Sequence, residues 1–305
     1  MTTFSDFPDR RRAVLRGIGL MVLAVALFSV MDTLVKWLTV RYGVFQIMFF
    51  RSAFALVPVL AIVARLGGRR ALVSRRPGGQ MVRSLVGAAA IVCFFYSFKH
   101  MPLADVYAIY FASPLVVSTL SVPLLGERVG GRRWSVILIG FGGVLWMVAA
   151  GGGLGAGGVS PAALVCVMAT VLYALALLLA GRLARTEGSA ATVFYFTLTC
   201  TGVGAVLMGP DWVTPTAGDF LLLAITGLVG GTAQFLMTES VRVAPPSVVA
   251  PFDYTAMIWA VALGYAVFGD VPTGGVLLGG AVVAASGIML LRLETRRSPM
   301  VAEAS

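Results

Sequence analysis

The sequence predicts an all-α membrane protein with ten transmembrane helices in two inverted five-helix repeats. Three observations support this prediction: the composition, ten long apolar windows and a weak internal repeat. Hydrophobic residues make up 59% of the 305 residues and charged residues only 12%, and the mean hydropathy is +0.94. Soluble domains are about 45–50% apolar and about 25% charged. The lipid bilayer is therefore the expected solvent for most of the chain.

Ten windows are long and apolar enough to be transmembrane helices, each of which needs about 20 mainly apolar residues. They are residues 17–38, 44–64, 82–99, 103–125, 133–150, 160–181, 190–209, 217–239, 246–268 and 273–292. Basic residues before the first window, and Ala24 to Ala26 within it, also resemble a signal peptide. We reject that alternative because the apolar run continues through Asp32 and Lys36 into a second span.

The distribution of basic residues predicts the orientation. If the N-terminus is cytoplasmic, 19 of the 23 Lys and Arg residues fall on the cytoplasmic side. These are Arg10, Arg11, Arg12, Arg16, Arg65, Arg69, Arg70, Arg75, Arg76, Arg83, Arg128, Arg132, Arg133, Arg182, Arg185, Arg242, Arg292, Arg296 and Arg297. The positive-inside rule thus predicts a multi-pass protein of a bacterial inner membrane with both termini cytoplasmic. The net charge of +10 reflects this topology and anionic lipid rather than nucleic acid.

A shift of 143 residues aligns the two halves of the chain. It places Pro102, Gly126 and Glu127 on Pro245, Gly269 and Asp270. The predicted units are a cytoplasmic segment 1–16, a first five-span repeat 17–150, a glycine-rich linker 151–159, a second repeat 160–292 and a cytoplasmic tail 293–305. Because five is odd, the second repeat enters the membrane from the opposite side. Inverted repeats are typical of transporters with a site between the halves.

Several stretches resemble the EamA-type members of the drug/metabolite transporter superfamily, over about residues 15 to 292. They are MDTLVKW followed by FQIMFFRS, and GERVGGRRWSVILIGFGGVLWM with its counterpart FGDVPTGGVLLGGAVVAASGIML. Both predicted repeats are EamA-like in this sense. The resemblance implies a small-solute carrier that works by alternating access, with spans 1, 3, 4, 6, 8 and 9 lining a central cavity. Similar carriers include YddG-like amino acid exporters and uptake carriers for S-adenosylmethionine or riboflavin.

Charged residues inside the first two spans are the first site candidates. An ionisable residue within a membrane costs on the order of 3 kcal/mol, so it needs a partner, a wet cavity or a task. Asp32 and Lys36 are one helical turn apart and can pair, and Lys36 can extend outward to water. They form either a structural pair, extended to Arg51, or the outer mouth of a substrate path. Arg51 can hold Asp32 or the carboxylate of a substrate.

Polar residues at the outer ends of spans three and four form a second group. Tyr96 and Lys99 end span three, and Tyr107, Tyr110 and Ser113 follow in span four. Tyrosines at helix ends usually lie in the membrane interface. Tyr110 and Ser113 are too deep for that position, which favours a cavity lining for them.

The second half contributes Gln234, Asp253 and Tyr254. Asp253 aligns with Tyr110 under the repeat shift, so both halves place a polar side chain at the same depth. It is the strongest functional carboxylate of this half, unless it pairs with another helix. Tyr173 and Trp259 can confine an organic solute, although each residue type more often serves packing.

Catalytic and metal-binding motifs do not occur in the sequence. It has one histidine, and it lacks HExxH, a Ser/His/Asp set and a phosphate-binding loop. Cys93, Cys166 and Cys200 have neither metal-ligand nor disulfide spacing. We therefore predict a protein that is not an enzyme, with no cofactor and no metal.

The leading hypothesis is export of amino acids through a central cavity, with a small-molecule substrate and the lipid bilayer as partners. Protons are a candidate coupling ion, exchanged at Asp32 or Asp253. One alternative is uptake of a larger metabolite such as S-adenosylmethionine or riboflavin. An alternative of another class is a membrane-embedded lipid-modifying enzyme, which would need clustered acids, histidines or serines.

Overall fold

A computed structural model describes residues 6–65, 68, 72–125, 131–150, 154–155, 158–183, 186–244 and 250–295. Eleven α-helices lie in these ranges. They are α1 Asp6–Leu38, α2 Val44–Arg65, α3 Pro77–His100, α4 Leu103–Tyr110, α5 Ser113–Leu125, α6 Gly131–Val148, α7 Pro161–Leu183, α8 Ser189–Leu207, α9 Ala217–Val243, α10 Ala256–Leu263 and α11 Gly274–Thr295. Two-residue strands, β1 Leu154–Gly155 and β2 Gly158–Val159, pair antiparallel within the predicted linker.

The all-α membrane class predicted from composition is confirmed. Within the described residues, seven helices are long and apolar enough to cross a membrane. Shorter apolar helices cover Trp134–Met147, Phe252–Phe268 and Gly274–Met289, at predicted spans five, nine and ten. Gly126 and Glu127, on which the repeat alignment partly rests, lie outside the described residues, as do Pro245 and most of the tail.

The fourth predicted span is broken into α4 and α5. Pro114 has no N–H to bond the carbonyl of Tyr110, and its ring clashes with that carbonyl in a continuous helix. The chain therefore makes a turn at Phe111 and Ala112 before α5 begins. The ninth predicted span is irregular too, because a 3₁₀ segment, Ala250–Thr255, precedes α10. Both irregular segments lie in the middle of the bundle.

Helix α2 packs against α8 and α9, and a glycine permits the close approach to α8. A Cβ atom on Gly204 would lie 2.8 Å from the Cα and N atoms of Phe49. These are backbone atoms of α2, so they cannot rotate away. Gly202, on the same helix, has open space where its Cβ would be.

Replacing Gly204 with alanine is therefore expected to destabilise the bundle by about 1–3 kcal/mol, as overpacking usually does. The apparent melting temperature of the detergent-solubilised protein measures this effect. Gly202→Ala is the matched control, and its melting temperature should equal that of the native protein. Equal melting temperatures for the two variants would show that α2 and α8 are not closely packed at Phe49.

A buried carboxylate joins the start of α3 to the turn between α7 and α8. One oxygen of Glu187 accepts hydrogen bonds of 2.8 Å from the backbone N–H groups of Arg75 and Arg76. Burial alone would raise the pKa of Glu187. Hydrogen bonds from the Ser74 hydroxyl and from these two N–H groups outweigh burial and hold the pKa below its ordinary value of 4.5. This contact defines what we term the Glu187 end of the bundle.

Because the folded-state pKa of Glu187 is lowered, its carboxylate stabilises the fold above pH 4.5, and this contribution is lost as pH falls through the folded-state value. We expect Glu187→Gln to lower the melting temperature near pH 7. The difference from the native protein should shrink below pH 4.5, where the native side chain becomes neutral as well. Thermal scans from pH 7 to pH 3 test this, with the exposed Asp211 changed to Asn as control. A pH-independent difference would contradict the stated role of the charge.

Candidate functional site

A central cavity of about 250 Å³ is lined by side chains from both halves of the chain. Helices α1, α3, α4, α7 and α9 and the segment around Asp253 all contribute to its wall, and these are the six spans that the family resemblance implies. Helices α2 and α8 add Arg51 and Phe196. Along α3 the lining runs from Arg83 to Phe98, which is roughly 22 Å at 1.5 Å per residue.

Asp32 and Arg51 both line the cavity, but they do not form the predicted ion pair. The hydroxyl of Tyr107 donates a hydrogen bond of 2.6 Å to Asp32, which joins α1 to α4. Arg51 packs its guanidinium 5.8 Å from the ring centre of Phe95, and its Nε lies 3.1 Å from the sulfur of Met31. The charges of Asp32 and Arg51 therefore remain available to the cavity.

The predicted pairing of Lys36 with Asp32 is wrong. The ammonium group of Lys36 lies 2.7 Å from Asp270, just before α11, and donates a further bond of 3.1 Å to the carbonyl of Met101. It also lies 4.6 Å from the ring centre of Phe268. Lys36 points away from the cavity and ties together three segments at the C-terminal ends of α1 and α3. We term this contact the Lys36 latch, and this side of the bundle the Lys36 end.

Asp253 lies beside two tyrosines in the cavity wall. The Tyr110 hydroxyl lies 3.3 Å from both Asp253 and the Tyr173 hydroxyl. A hydroxyl has one proton and an ionised carboxylate only accepts, so Tyr110 donates to Asp253 and accepts from Tyr173. Among the described residues, no cation forms an ion pair with Asp253. One hydrogen bond of this length leaves much of the carboxylate's bonding capacity for a solute.

Arg83 was missed at the sequence level, where it counted only as a cytoplasmic charge. Helix α3 begins at Pro77, five residues before its predicted start, so Arg83 lies inside the helix and lines the cavity. Its guanidinium packs 4.4 Å from the ring centre of Phe196. Gly87 makes room for this ring, because a Cβ there would lie 2.7 Å from it. The sequence did contain a signal for this position, because Arg83 lies within the third apolar window, residues 82–99.

The sequence candidates divide into two groups. Those that line the cavity are Asp32, Arg51, Tyr107, Tyr110, Tyr173, Gln234 and Asp253. Those that lie elsewhere are Lys36, Tyr96, Lys99, Ser113, Tyr254 and Trp259.

The exposure or the packing of four of these residues explains why they do not line the cavity, although their residue types favoured it. Tyr96 and Lys99 are on an exposed face of α3, and Trp259 is 38% exposed on α10. Tyr254 packs edge-on against Phe111 instead, with 5.0 Å between the ring centres. These side chains are exposed or pack against other residues, and they do not line the cavity.

The cavity wall can bind a small polar molecule but has no evident means to transform it. It offers two carboxylates and two guanidinium groups, together with phenol hydroxyls and phenylalanine rings. Such a lining can hold an ammonium and a carboxylate on one molecule and cover its apolar part. The described lining residues include no histidine, cysteine or serine that could act as a nucleophile.

Comparison with known proteins gives consistent results. The pseudopaline exporter CntI of Pseudomonas aeruginosa is 30% identical over 91% of this chain and 96% of its own length. The riboflavin transporter of Vibrio cholerae is 27% identical over 93% and 95%, and the S-adenosylmethionine uptake transporter of Rickettsia prowazekii is 23% identical over 94% and 96%. A protein of known crystal structure shares the fold, with a TM-score of 0.62 at 18% identity, over 94% of this chain and 98% of that chain.

The family match covers most of the sequence and is consistent with the resemblance in the quoted stretches. The EamA-like transporter family matches residues 15–149 and again residues 160–293. The family and these relatives are transporters of small metabolites and not enzymes. This excludes the lipid-modifying enzyme as an alternative. The chain therefore belongs to the EamA-like transporter family, within the drug/metabolite transporter superfamily.

Proposed function

We propose that this transporter exports amino acids or closely related zwitterions by alternating access through the central cavity. The observation that carries the proposal is that both negatively and positively charged side chains line the cavity. Asp32 and Asp253 suit an ammonium group, whereas Arg51 suits a carboxylate. A zwitterion would satisfy both signs at once, which a neutral or singly charged solute would not.

The size of the cavity favours a small solute. Its volume of about 250 Å³ is below the roughly 300–1,000 Å³ of sites that hold drug-sized ligands. An amino acid fits this volume more readily than riboflavin or S-adenosylmethionine. Uptake of one of these larger metabolites remains the second candidate, since two of the relatives carry those names.

We further propose that the ten windows are ten spans, arranged as inverted repeats 17–150 and 160–292. The helix packing supports this arrangement. Exchanging the halves converts the contact of α1 with α9 into that of α7 with α3, and both contacts occur. The exchange also maps the contacts of α2 with α8 and of α6 with α11 onto themselves. Each predicted half has its irregular helix at the same position in its order of spans.

The proposed orientation places both termini and the Glu187 end in the cytoplasm. In this orientation 19 of the 23 Lys and Arg residues would lie on the cytoplasmic side, and the Lys36 latch would face outward. Accessibility of single introduced thiols tests it, with Ser74→Cys at the Glu187 end and Val40→Cys at the other end. A membrane-impermeant thiol reagent added to intact cells should label the Val40→Cys variant and spare the Ser74→Cys variant. The reverse labelling pattern would invert the proposed orientation.

Transport by the purified protein in lipid vesicles tests the proposed substrate class. The panel is the set of common amino acids with S-adenosylmethionine and riboflavin, and protein-free vesicles are the control. We expect saturable movement of one or more amino acids. Saturable movement of only the two larger compounds would overturn the proposed substrate class.

The direction of transport needs a test in cells. Expression of an exporter should lower the intracellular concentration of its amino acid when that amino acid is supplied in excess as a dipeptide. Expression of an uptake carrier should raise the intracellular concentration when the free amino acid is supplied outside. The second result without the first would reverse the proposed direction.

A further inference from the structure

Arg83 is a cationic group in the cavity with two buried donor atoms that the described residues leave without a hydrogen bond. Its Nε and Nη1 atoms are buried and have no hydrogen-bond partner in the described part of the chain. No described carboxylate forms an ion pair with it either. A buried donor left unsatisfied costs about 1–3 kcal/mol, and more when it is charged. Buried polar groups in native structures are nearly always hydrogen-bonded, so these two donors call for a partner that the described residues do not supply.

The surroundings of Arg83 hold the guanidinium in place. Its Cζ lies 4.4 Å from the ring centre of Phe196, and Gly87 leaves the space that this ring occupies. The fork of N–H donors suits the two oxygens of a carboxylate. Stacking against a ring limits the side-chain rotamers, and less conformational entropy is lost when a ligand binds.

The position of Arg83 complements that of Asp253. Arg83 is in the first third of α3, toward the Glu187 end. The Tyr110 hydroxyl contacts Asp253, and the Tyr110 ring packs against Phe94, 11 residues farther along α3 toward the Lys36 end. Tyr173 also lines the cavity, and its hydroxyl lies 3.3 Å from the Tyr110 hydroxyl that contacts Asp253. The cavity thus offers a cation and an anion that form no ion pair with each other.

We propose that Arg83 binds a carboxylate of the transported solute, on the cytoplasmic side of Asp253. This inference rests on the proposed function and narrows it. Every substrate must then carry an anionic group, which amino acids and S-adenosylmethionine do and riboflavin does not. Arg51 lies toward the Lys36 end, and its Nε already contacts the sulfur of Met31, whereas the Nε of Arg83 has no partner among the described residues.

The test compares each transported amino acid with its amide, which keeps the ammonium group and loses the carboxylate. For the native protein, we expect the amide to have a KM about 10- to 100-fold higher, as the loss of a charge-assisted hydrogen bond implies. Arg83→Gln should raise the KM of the acid by a similar factor and leave that of the amide nearly unchanged. Arg83→Lys should recover part of the preference, because it restores the charge without the fork.

Two controls separate binding from folding. Arg76→Gln removes an exposed arginine from the start of the same helix and should transport like the native protein. Melting temperatures of all variants show whether the bundle is intact. A merely structural role for Arg83 would reduce transport of acid and amide alike, together with the melting temperature.

The remaining outcomes distinguish the two proposals. If the native protein moves an amino acid and Arg83→Gln moves it with unchanged KM, the anion site is wrong and the proposed function stands. If the native protein transports only riboflavin, both the anion site and the proposed amino acid substrate are wrong. The protein would still be a transporter. If the native protein moves no compound of the panel, both proposals fail.

Discussion

Changing Asp253 to asparagine is expected to reduce transport by at least about 30-fold, the equivalent of roughly 2 kcal/mol. In the structure this carboxylate faces the cavity, holds one hydrogen bond of 3.3 Å from Tyr110 and has no ion-pair partner among the described residues. The amide has nearly the same shape, so only the charge is removed. Initial rates of transport into vesicles measure the effect.

Asp211→Asn is the matched control, because Asp211 is exposed and remote from the cavity. The same pair of variants tests proton coupling. If protons exchange with the solute at Asp253, the pH dependence of transport should be lost in Asp253→Asn and kept in Asp211→Asn. Full transport by Asp253→Asn would remove this residue from the site.

Breaking the Lys36 latch is expected to open the cavity toward the outside. The ion pair of 2.7 Å is mostly shielded from solvent, with 14% of the Lys36 side chain and 29% of the Asp270 side chain exposed. A charge-assisted bond of this kind contributes about 1.5–3 kcal/mol, which is roughly a 10- to 100-fold shift between closed and open states. Lys36→Met and Asp270→Asn should each cause such a shift.

Cysteine labelling from outside the cell measures this opening. The reporter is Ala90→Cys, which lines the cavity, in a protein without Cys93, Cys166 and Cys200. Each latch variant should be labelled faster than its parent by a membrane-impermeant reagent. The double variant should add little to either single one, because each removes the same interaction. Additive effects, or unchanged labelling, would show that the two residues do not close the outer side jointly.

The repeat alignment makes the latch asymmetric. Lys36 corresponds to Leu179 in the second half, so the equivalent ion pair cannot form at the Glu187 end. In the proposed repeat arrangement, the contact that closes the outer side would have no counterpart on the inner side. We therefore expect the outward-closed state to predominate in the absence of solute.

The membrane class and the approximate positions of the helices could be predicted from the sequence because both depend on local properties. A transmembrane helix satisfies its own backbone hydrogen bonds, so a run of apolar residues is a sufficient signal. The windows at 44–64, 160–181 and 190–209 end within two residues of α2, α7 and α8. The break in the fourth span was not predicted, although Pro114 gives its cause.

The side-chain partners could not be predicted because they depend on distant contacts. Asp32 and Lys36 have the spacing of a helical pair, yet each finds its partner in another helix or loop. Asp270 is 234 residues from Lys36, and Tyr107 is 75 residues from Asp32. Local spacing shows which pairs are possible, and packing decides which ones form.

The contact between Tyr110 and Asp253 has a consequence for how the solute crosses. These residues are 143 apart in the sequence. In the inverted repeats that we propose, they occupy equivalent positions, and their contact would then lie near the axis that relates the halves. When the repeats exchange conformations, points near a rotation axis move least. A solute held there would stay almost stationary while the barrier on one side closes and the other opens, so the permeability barrier moves past the solute.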